Sequence, residues 1–204
     1  MKIFCIGLSR SGAMTLNKAL QILGYRSLFV LDYEHLEDNL LEYDTFTHTP
    51  LAAVYRELDS RFPDSKFILN IRERESWLGS LERQWKTVNL NDLSEAGRKI
   101  RLSVYGTDQF DREALGRAYD QHLDSVSQYF KNRDQSLLIL DVCGGEGFEK
   151  LCPFLGRSIP SQPFPHQNSA RDTFDRPSQK LKQFLIRHLK ARKIKQWLMR
   201  ILRR

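Results

Sequence analysis

The sequence is poor in cysteine and contains no apolar run long enough to cross a membrane. Its three cysteines, Cys5, Cys143 and Cys152, form an odd and unpatterned set in 204 residues. Such a set is typical of reduced core residues in a cytosolic protein and argues against a disulfide framework. The first predicted strand begins directly after Met1, which leaves no room for a signal peptide. We therefore expect a cytoplasmic protein.

Metal ligands and acidic residues near the C-terminus are missing as well. No His and Cys residues have the spacing of a zinc site, so we expect no metal. Residues 180–204 contain no Asp or Glu but ten Lys and Arg residues. Because the net charge of the whole chain is +7, the remainder of the chain carries a charge of −3. A slightly acidic globular part argues against a nucleic-acid-binding protein.

The remaining composition, 41% hydrophobic and 28% charged, is that of a globular protein. Apolar, β-prone runs predict strands at 2–8, 27–31, 66–71 and 136–142. Helical patterns are found at 12–23, 51–62, 72–86, 91–104, 111–132 and 148–155. Strands that alternate with helices predict an α/β fold, with a P-loop-like central parallel sheet and helices on both faces. We assign residues 1–177 to this domain, in which 34–41 is weakly helical and 44–50 is a short loop.

The segment from Gly7 to Thr15 organises the rest of the chain. It reads Gly-Leu-Ser-Arg-Ser-Gly-Ala-Met-Thr and lies between a predicted strand and a predicted helix. In such a turn the backbone N–H groups converge at the helix N-terminus, where the helix dipole adds partial positive charge. We expect a phosphate or sulfate group as the ligand. An ordinary turn between a strand and a helix is the alternative.

The spacing of Gly7 and Gly12 matches the first half of a Walker A loop. The Lys-Ser/Thr pair that should follow is replaced by Ala13 and Met14. ATPases and kinases need that lysine on the β- and γ-phosphates and that hydroxyl on Mg²⁺. The loop therefore predicts anion binding and argues against hydrolysis of a magnesium nucleotide.

Three blocks of sequence resemble the sulfotransferases that use 3′-phosphoadenylyl sulfate (PAPS) as the donor. The first block, 2–24, contains the Gly-Leu-Ser-Arg-Ser-Gly loop. The second, 51–80, contains Tyr-Arg-Glu-Leu-Asp, Phe-Pro-Asp-Ser-Lys-Phe-Ile-Leu and Arg-x3-Ser-Trp-x2-Ser. The third, 137–168, contains Leu-Ile-Leu-Asp, Glu-Lys-Leu-Cys-Pro-Phe-Leu-Gly and Phe-Pro-His-Gln-Asn. The resemblance covers most of residues 2–169 and is closest to a branch of small sulfotransferase-like proteins.

The resemblance implies transfer of a sulfonate group from PAPS to a hydroxyl or amine of a small-molecule, glycan or lipid acceptor, without a metal. Arg72 and Ser80 match the arginine, and the serine eight residues later, that hold the donor's 3′-phosphate. Arg10 falls where many members have a lysine that contacts the leaving oxygen, and arginine keeps that charge but cannot donate its proton. The residues that would contact the 5′-phosphosulfate are Ser9, Arg10, Ser11, Gly12, Ala13, Met14 and Thr15.

His48 is the candidate catalytic base. The sequence Thr-His-Thr-Pro at 47–50 is similar to the stretch that carries the catalytic histidine in cytosolic sulfotransferases. A neutral imidazole near pH 7 can take the acceptor's proton. The branch of small proteins often has an aspartate or glutamate here, which makes Asp44 the alternative base. A loop histidine without a catalytic role is a further alternative.

The chain departs from the family at Ala13 and Met14, where two threonines commonly hold the 5′-phosphate. Ser11 and Thr15 keep hydroxyl groups nearby. The alternative function is therefore that of a catalytically degenerate sulfotransferase-like protein, a nucleotide-binding or membrane-associated adaptor. A kinase is the third possibility, against which the missing Walker lysine argues.

Residues 178–204 predict a basic amphipathic helix, with Ser178 as its N-cap. A helix with Trp197, basic flanks and no acidic residue is typical of segments that bind an anionic membrane surface. In that case we expect peripheral membrane association of a cytoplasmic protein. A helix packed on the domain, with its basic face in solvent, is the alternative.

Overall fold

A five-stranded sheet forms the centre of the computed structural model, which describes residues 1–87 and 93–166. The strands are β1 (Ile3–Cys5), β2 (Ser27–Phe29), β3 (Thr45–Thr47), β4 (Lys66–Asn70) and β5 (Leu137–Leu140). Their order in the sheet is β2-β3-β1-β4-β5, and each pair of neighbours is parallel. Inner parallel strands are covered on both faces, which explains the continuous apolar sequences of β1 and β4.

Several of the helices begin after a residue whose side chain caps their first turn. The helices are α1 (Ala13–Ile22), α2 (Tyr33–Glu37), α3 (Pro50–Arg61), α4 (Arg74–Lys86), α5 (Glu95–Tyr105), α6 (Arg112–Tyr129) and α7 (Phe148–Leu155). Side chains of Asp111 and Ser94 accept hydrogen bonds from the first turns of α6 and α5. The Glu73 side chain does the same for α4, by accepting from the amides of Glu75 and Ser76.

Alternate side chains of β1 separate two apolar cores. Phe4 lies on one face with Phe46 and Phe67, under α3 and α6. Ile3 and Cys5 lie on the other face, under α1 and α7. All five of these side chains are fully buried. The period of two along the strand thus gives a sheet with helices on both faces, as the sequence predicts.

A third apolar cluster covers the carboxyl end of β1. It joins Leu8 to the facing sides of α4, α5 and α6 through Trp77, Tyr105 and Tyr119. The rings of Trp77 and Tyr119 lie 4.8 Å apart between centroids, and Trp77 is fully buried. This cluster fixes α4 and α5 beside the loop that follows β1.

The predicted α/β fold is confirmed, but the predicted loop at 44–50 is wrong because it contains β3. The strand β3 has only three residues, Thr45–Thr47, which are too few to show an alternating pattern. They form a strand because β1 and β2 supply hydrogen-bonding partners on both sides, with Phe46 in the core. The weakly helical segment is also shorter than predicted, at Tyr33–Glu37. The domain boundary at 177 and the tail helix at 178–204 lie outside the described residues.

Candidate functional site

The loop between β1 and α1 begins and ends with glycines that its geometry requires. A Cβ atom on Gly7 would lie 2.1 Å from the carbonyl oxygen of Asn70, so only glycine allows this close approach of β1 and β4. Gly12 has a φ of 90°, a left-handed conformation that favours glycine. Leu16 makes the first helical hydrogen bond, to the carbonyl of Gly12. The amides of residues 13–15 therefore project from the helix N-terminus, as in an anion site.

This loop lies at the point where the chain changes direction across the sheet. From β1 the chain leads to β2 on one side, whereas from β4 it leads to β5 on the other. Ligands of open parallel sheets bind outside the carboxyl ends of the strands at such a point. The loops after β1 and β4 flank it, and β3 ends one strand away. The segments that follow β3, β1 and β4 therefore leave three neighbouring strands at the same edge of the sheet.

Arg10, Arg72 and Ser80 lie together beside the loop. The Nε of Arg10 donates to Ser80 Oγ at 3.0 Å, and the Nη1 of Arg72 donates to the carbonyl of Arg10 at 3.2 Å. Ser76 Oγ accepts from Arg72 Nε at 2.9 Å, and the Tyr119 hydroxyl donates to the carbonyl of Arg72. Two guanidinium groups and the positive end of α1 thus make this region electropositive. Ser80 lies eight residues after Arg72, within α4, and reaches the loop through its hydrogen bond with Arg10.

Arg74 has a different environment, although it lies two residues from Arg72. Its Nε donates to the Asp120 carboxylate at 3.0 Å, and its Nη1 pairs with Glu75 at 2.9 Å. Both pairs are exposed to solvent. Arg74 therefore joins α4 to α6 at the surface and provides a natural control for Arg72.

Ser9 connects the loop to three other elements through contacts that the sequence does not predict. Its carbonyl accepts from Trp77 Nε1 at 2.7 Å, and its amide donates to the Tyr105 hydroxyl at 3.1 Å. Its hydroxyl lies 2.6 Å from Thr49 Oγ1. Burial raises the pKa of Tyr105 above its usual value, so this hydroxyl keeps its proton at neutral pH. The loop, the N-terminus of α3 and the C-terminus of α5 are therefore linked by hydrogen bonds.

Ser11 and Asn70 form the inner side of the loop. Ser11 donates its hydroxyl hydrogen to the carbonyl of Leu8, and its Oγ accepts from Asn70 Nδ2 at 2.8 Å. Ser11 is 1% exposed. In this arrangement the Ser11 side chain shapes the loop. The groups of this region that suit an anion are backbone amides and guanidinium groups. The pattern of residues gave no sign of Asn70, because it reads as one position of an apolar strand.

Of the other predicted donor-binding residues, Ala13 and Thr15 are buried and Met14 is half-buried. All three belong to the first turn of α1. Their backbone amides therefore lie at the N-terminus of this helix. The two threonines common in the family are replaced by an alanine with a buried side chain and by a methionine.

His48 follows β3 with a φ of 109°, which is rare for a residue with a side chain. Its Nδ1 lies 2.7 Å from the carbonyl oxygen of Val30, and its ring stacks on Phe29 at 4.3 Å between centroids. Since a carbonyl oxygen only accepts, Nδ1 carries the proton and Nε2 holds the lone pair of the neutral ring. Burial lowers the pKa of His48, partly offset by the Val30 bond, so the ring is neutral at pH 7. This tautomer is the one that a base at Nε2 requires.

The alternative base, Asp44, lies at the wrong edge of the sheet. It precedes β3, whereas His48 follows it, so the two residues are at opposite ends of the same strand. The Asp44 carboxylate pairs with Arg26 at 3.3 Å, and the hydrogen bond from Arg26 lowers the pKa of Asp44. Its position excludes Asp44 from a reaction at the carboxyl ends of the strands.

Neither a metal centre nor a membrane span is found in the part of the chain that the structure describes. No three His, Cys, Asp or Glu residues among the described residues are grouped so that they can hold a metal ion. Within the same ranges, no helix is long and apolar enough to cross a membrane.

Comparison with known proteins gives two matches. A family model described as a sulfotransferase domain matches residues 30–173, a range that includes His48, Arg72 and Ser80 but begins after the loop at 7–12. The chain is also 26% identical to "Ava biosynthesis cluster protein M" of Aspergillus versicolor over 213 residues. That alignment covers 81% of this chain and 80% of the relative.

Proposed function

The chain belongs to the sulfotransferase family, and from that premise we propose that it transfers a sulfonate group from PAPS to a hydroxyl or amine acceptor. The observation that carries the proposal is the convergence of Arg10, Arg72 and Ser80 on the N-terminus of α1. Two fixed positive charges, a hydroxyl and the amides of a helix N-terminus suit a donor with several anionic groups.

In this proposal the donor spans the loop and the start of α4. The 5′-phosphosulfate lies on the loop, whose contributing residues are Ser9, Arg10, Ser11, Gly12, Ala13, Met14 and Thr15. The 3′-phosphate lies against Arg72 and Ser80. Because Ser80 Oγ accepts from Arg10, its own hydroxyl hydrogen points elsewhere and can serve a phosphate oxygen.

The transfer breaks one S–O bond, forms one bond between the sulfur and the acceptor, and moves one proton. The acceptor oxygen or nitrogen forms a bond to the sulfur as the bond from sulfur to the phosphate oxygen breaks. His48 Nε2 takes the acceptor's proton, and the leaving 3′,5′-adenosine bisphosphate takes the electron pair. Arg10 and the helix N-terminus stabilise the charge on that leaving group without donating a proton. Positioning and electrostatics thus supply the catalysis, and no step needs a metal.

A nucleotide-binding or membrane-associated adaptor without catalytic activity is the second candidate. The observation that favours it is the replacement of the family's two threonines by Ala13 and Met14. Each lost hydroxyl removes about 1–3 kcal/mol of donor binding if a phosphate oxygen is left unpaired. The backbone amides and the two arginines remain, and they support the enzyme.

Three further points belong to the proposal. The relative from Aspergillus versicolor is named for a biosynthesis cluster, which supports a small-molecule acceptor. Cys5, Cys143 and Cys152 are all free, as in the reducing cytoplasm, but Cys143 is exposed, so the prediction that all three lie in the core is wrong for this residue. Binding of 180–204 to an anionic membrane surface rests on the sequence of that segment alone.

The test of the function is sulfonate transfer from PAPS to a panel of hydroxyl and amine acceptors. Mass spectrometry follows the gain of a sulfonate group, together with release of 3′,5′-adenosine bisphosphate. We expect His48→Ala to lower kcat by about 10²–10⁴-fold while the donor Kd is unchanged, because the base acts on the acceptor. The control is Arg74→Ala, which removes a guanidinium paired with Asp120 and Glu75 at the surface and should leave kcat unchanged.

The outcomes separate the candidates. Undiminished transfer by His48→Ala would exclude His48 as the base. Donor binding without transfer to any acceptor would favour the adaptor.

A further inference from the structure

One peptide unit leads from β1 into the anion loop, and side chains of two other elements hold it. His122 in α6 lies with Nε2 2.8 Å from the carbonyl oxygen of Ile6, so Nε2 donates. The N–H of the same peptide unit belongs to Gly7 and donates to Asn70 Oδ1 at 3.2 Å. In a trans peptide unit these two groups point to opposite sides. His122 and Asn70 therefore hold the unit from both sides.

Asn70 also holds the far end of the loop. Its Nδ2 donates to the carbonyl of Ser11 at 3.1 Å and to Ser11 Oγ at 2.8 Å. The orientation of this amide follows from its partners, because the Gly7 N–H only donates and the Ser11 carbonyl only accepts. Asn70 is 1% exposed and Ile6 is 0% exposed. Polar groups at such depth need partners within the protein.

We propose that His122 and Asn70 are positioning residues for the donor loop. They fix the Ile6–Gly7 peptide unit and so aim the amides of the following loop at the donor's phosphosulfate. Both act through the loop and not on the reacting atoms. The inference rests on the function proposed above, since it assigns the loop to the donor.

The need for such positioning is greater in this chain than in a relative with two threonines after the loop. Threonine hydroxyls can rotate to meet a phosphate oxygen, whereas backbone amides have directions set by the loop conformation. With Ala13 and Met14 in those positions, more of the donor binding depends on the amides. A displaced peptide unit at the start of the loop would therefore weaken donor binding directly.

Four variants of the full chain separate this role from simple packing. His122→Leu removes the donor to Ile6, whereas His122→Gln keeps an N–H group at a similar reach. Asn70→Ala removes the contacts to both ends of the loop. The matched control is Tyr55→Phe, because the Tyr55 ring lies edge-on to His122 at 6.3 Å and its hydroxyl contacts Ser125. Thermal unfolding first establishes that each variant is folded.

The first measurement is amide hydrogen exchange of the ligand-free protein, in peptides that cover residues 3–16. We expect exchange in this segment to be at least about threefold faster in His122→Leu and Asn70→Ala than in the wild type. His122→Gln and Tyr55→Phe should exchange at the wild-type rate. This measurement does not depend on a donor.

The second measurement is calorimetric titration with 3′,5′-adenosine bisphosphate. We expect Kd to rise about tenfold in His122→Leu and in Asn70→Ala, and to stay within about threefold of wild type in His122→Gln. A fifth variant combines His122→Leu with Asn70→Ala. Its increase in Kd should be smaller than the product of the two single increases, because both residues hold the same peptide unit.

Wild-type exchange and wild-type Kd in folded His122→Leu and Asn70→Ala would overturn the inference. A folded His122→Gln that behaves like His122→Leu would overturn the role of the His122 hydrogen bond. If His122→Leu does not fold, Asn70→Ala decides alone, since both effects are expected of it. Failure of the wild type to bind the nucleotide would instead overturn the proposed function, and the exchange data would then decide whether the pair holds the loop.

Discussion

At the scale of single residues, the site depends on polar groups whose partners are far apart in sequence. Ser9 contacts Trp77 and Tyr105, and Asn70 contacts both ends of the loop. The sequence predicts Arg10, Arg72, Ser80 and His48 as site residues because their motifs resemble those of a known family. The partners of Ser9 and Asn70 were not found, because an asparagine in an apolar strand and a tyrosine on a helix have no pattern until the chain folds.

A residue-scale prediction concerns Met14, which stands where the family commonly has its second threonine. Met14→Thr should lower the Kd for 3′,5′-adenosine bisphosphate by about tenfold, because a hydroxyl returns to the first turn of α1. The matched control is Met14→Val, which has the shape of threonine without the hydroxyl and should not tighten binding. Calorimetry measures both variants. Equal Kd values for the two variants would mean that the donor's phosphate does not lie at this turn.

At the scale of secondary structure elements, β3 shows where reading the sequence fails. Strands β1, β4 and β5 lie within continuous apolar runs and were predicted, although each is shorter than its run. The Thr-Phe-Thr sequence of β3 is too short for a pattern of its own. It becomes a strand because β1 and β2 are already arranged to pair with it, and this dependence on neighbours is not visible locally. Because the sequence does not predict β3, it also does not show that this strand separates Asp44 from His48.

The element-scale prediction is that Phe46 in β3 is essential for stability. Its ring lies 5.4 Å from that of Phe4, stacked in the core, and it is 0% exposed. Phe46→Ala should therefore lower the free energy of unfolding by about 3–5 kcal/mol. Phe110→Ala, at a half-buried position, should lower it by less. Urea unfolding measures both, and equal small losses would contradict the placement of Phe46 in the core.

At the scale of the whole molecule, two half-buried histidines link stability to pH. Burial lowers the pKa values of His48 and His122 in the folded state, whereas both titrate near about 6.5 in the unfolded chain. Below that pH the unfolded chain binds more protons than the folded protein. The stabilisation is therefore complete above pH 6.5 and is lost as the pH falls through the lowered pKa values.

We expect the free energy of unfolding to decrease between about pH 7 and pH 5.5, as measured by urea unfolding at each pH. The variant His48→Gln/His122→Gln should show a flatter profile, because it has removed both groups. An identical slope in the double variant would show that other groups set the pH dependence.

The fold brings Arg10, Arg72 and Ser80 together at one edge of the sheet, where we propose that they bind the donor. The most direct test of that claim is calorimetric titration of the wild-type protein, Arg72→Ala and Arg74→Ala with 3′,5′-adenosine bisphosphate. We predict a wild-type Kd on the order of micromolar, a rise of tenfold or more for Arg72→Ala, and no change for Arg74→Ala, whose guanidinium is paired with Asp120. No binding by the folded wild-type protein, or equal losses for the two arginines, would contradict the donor site.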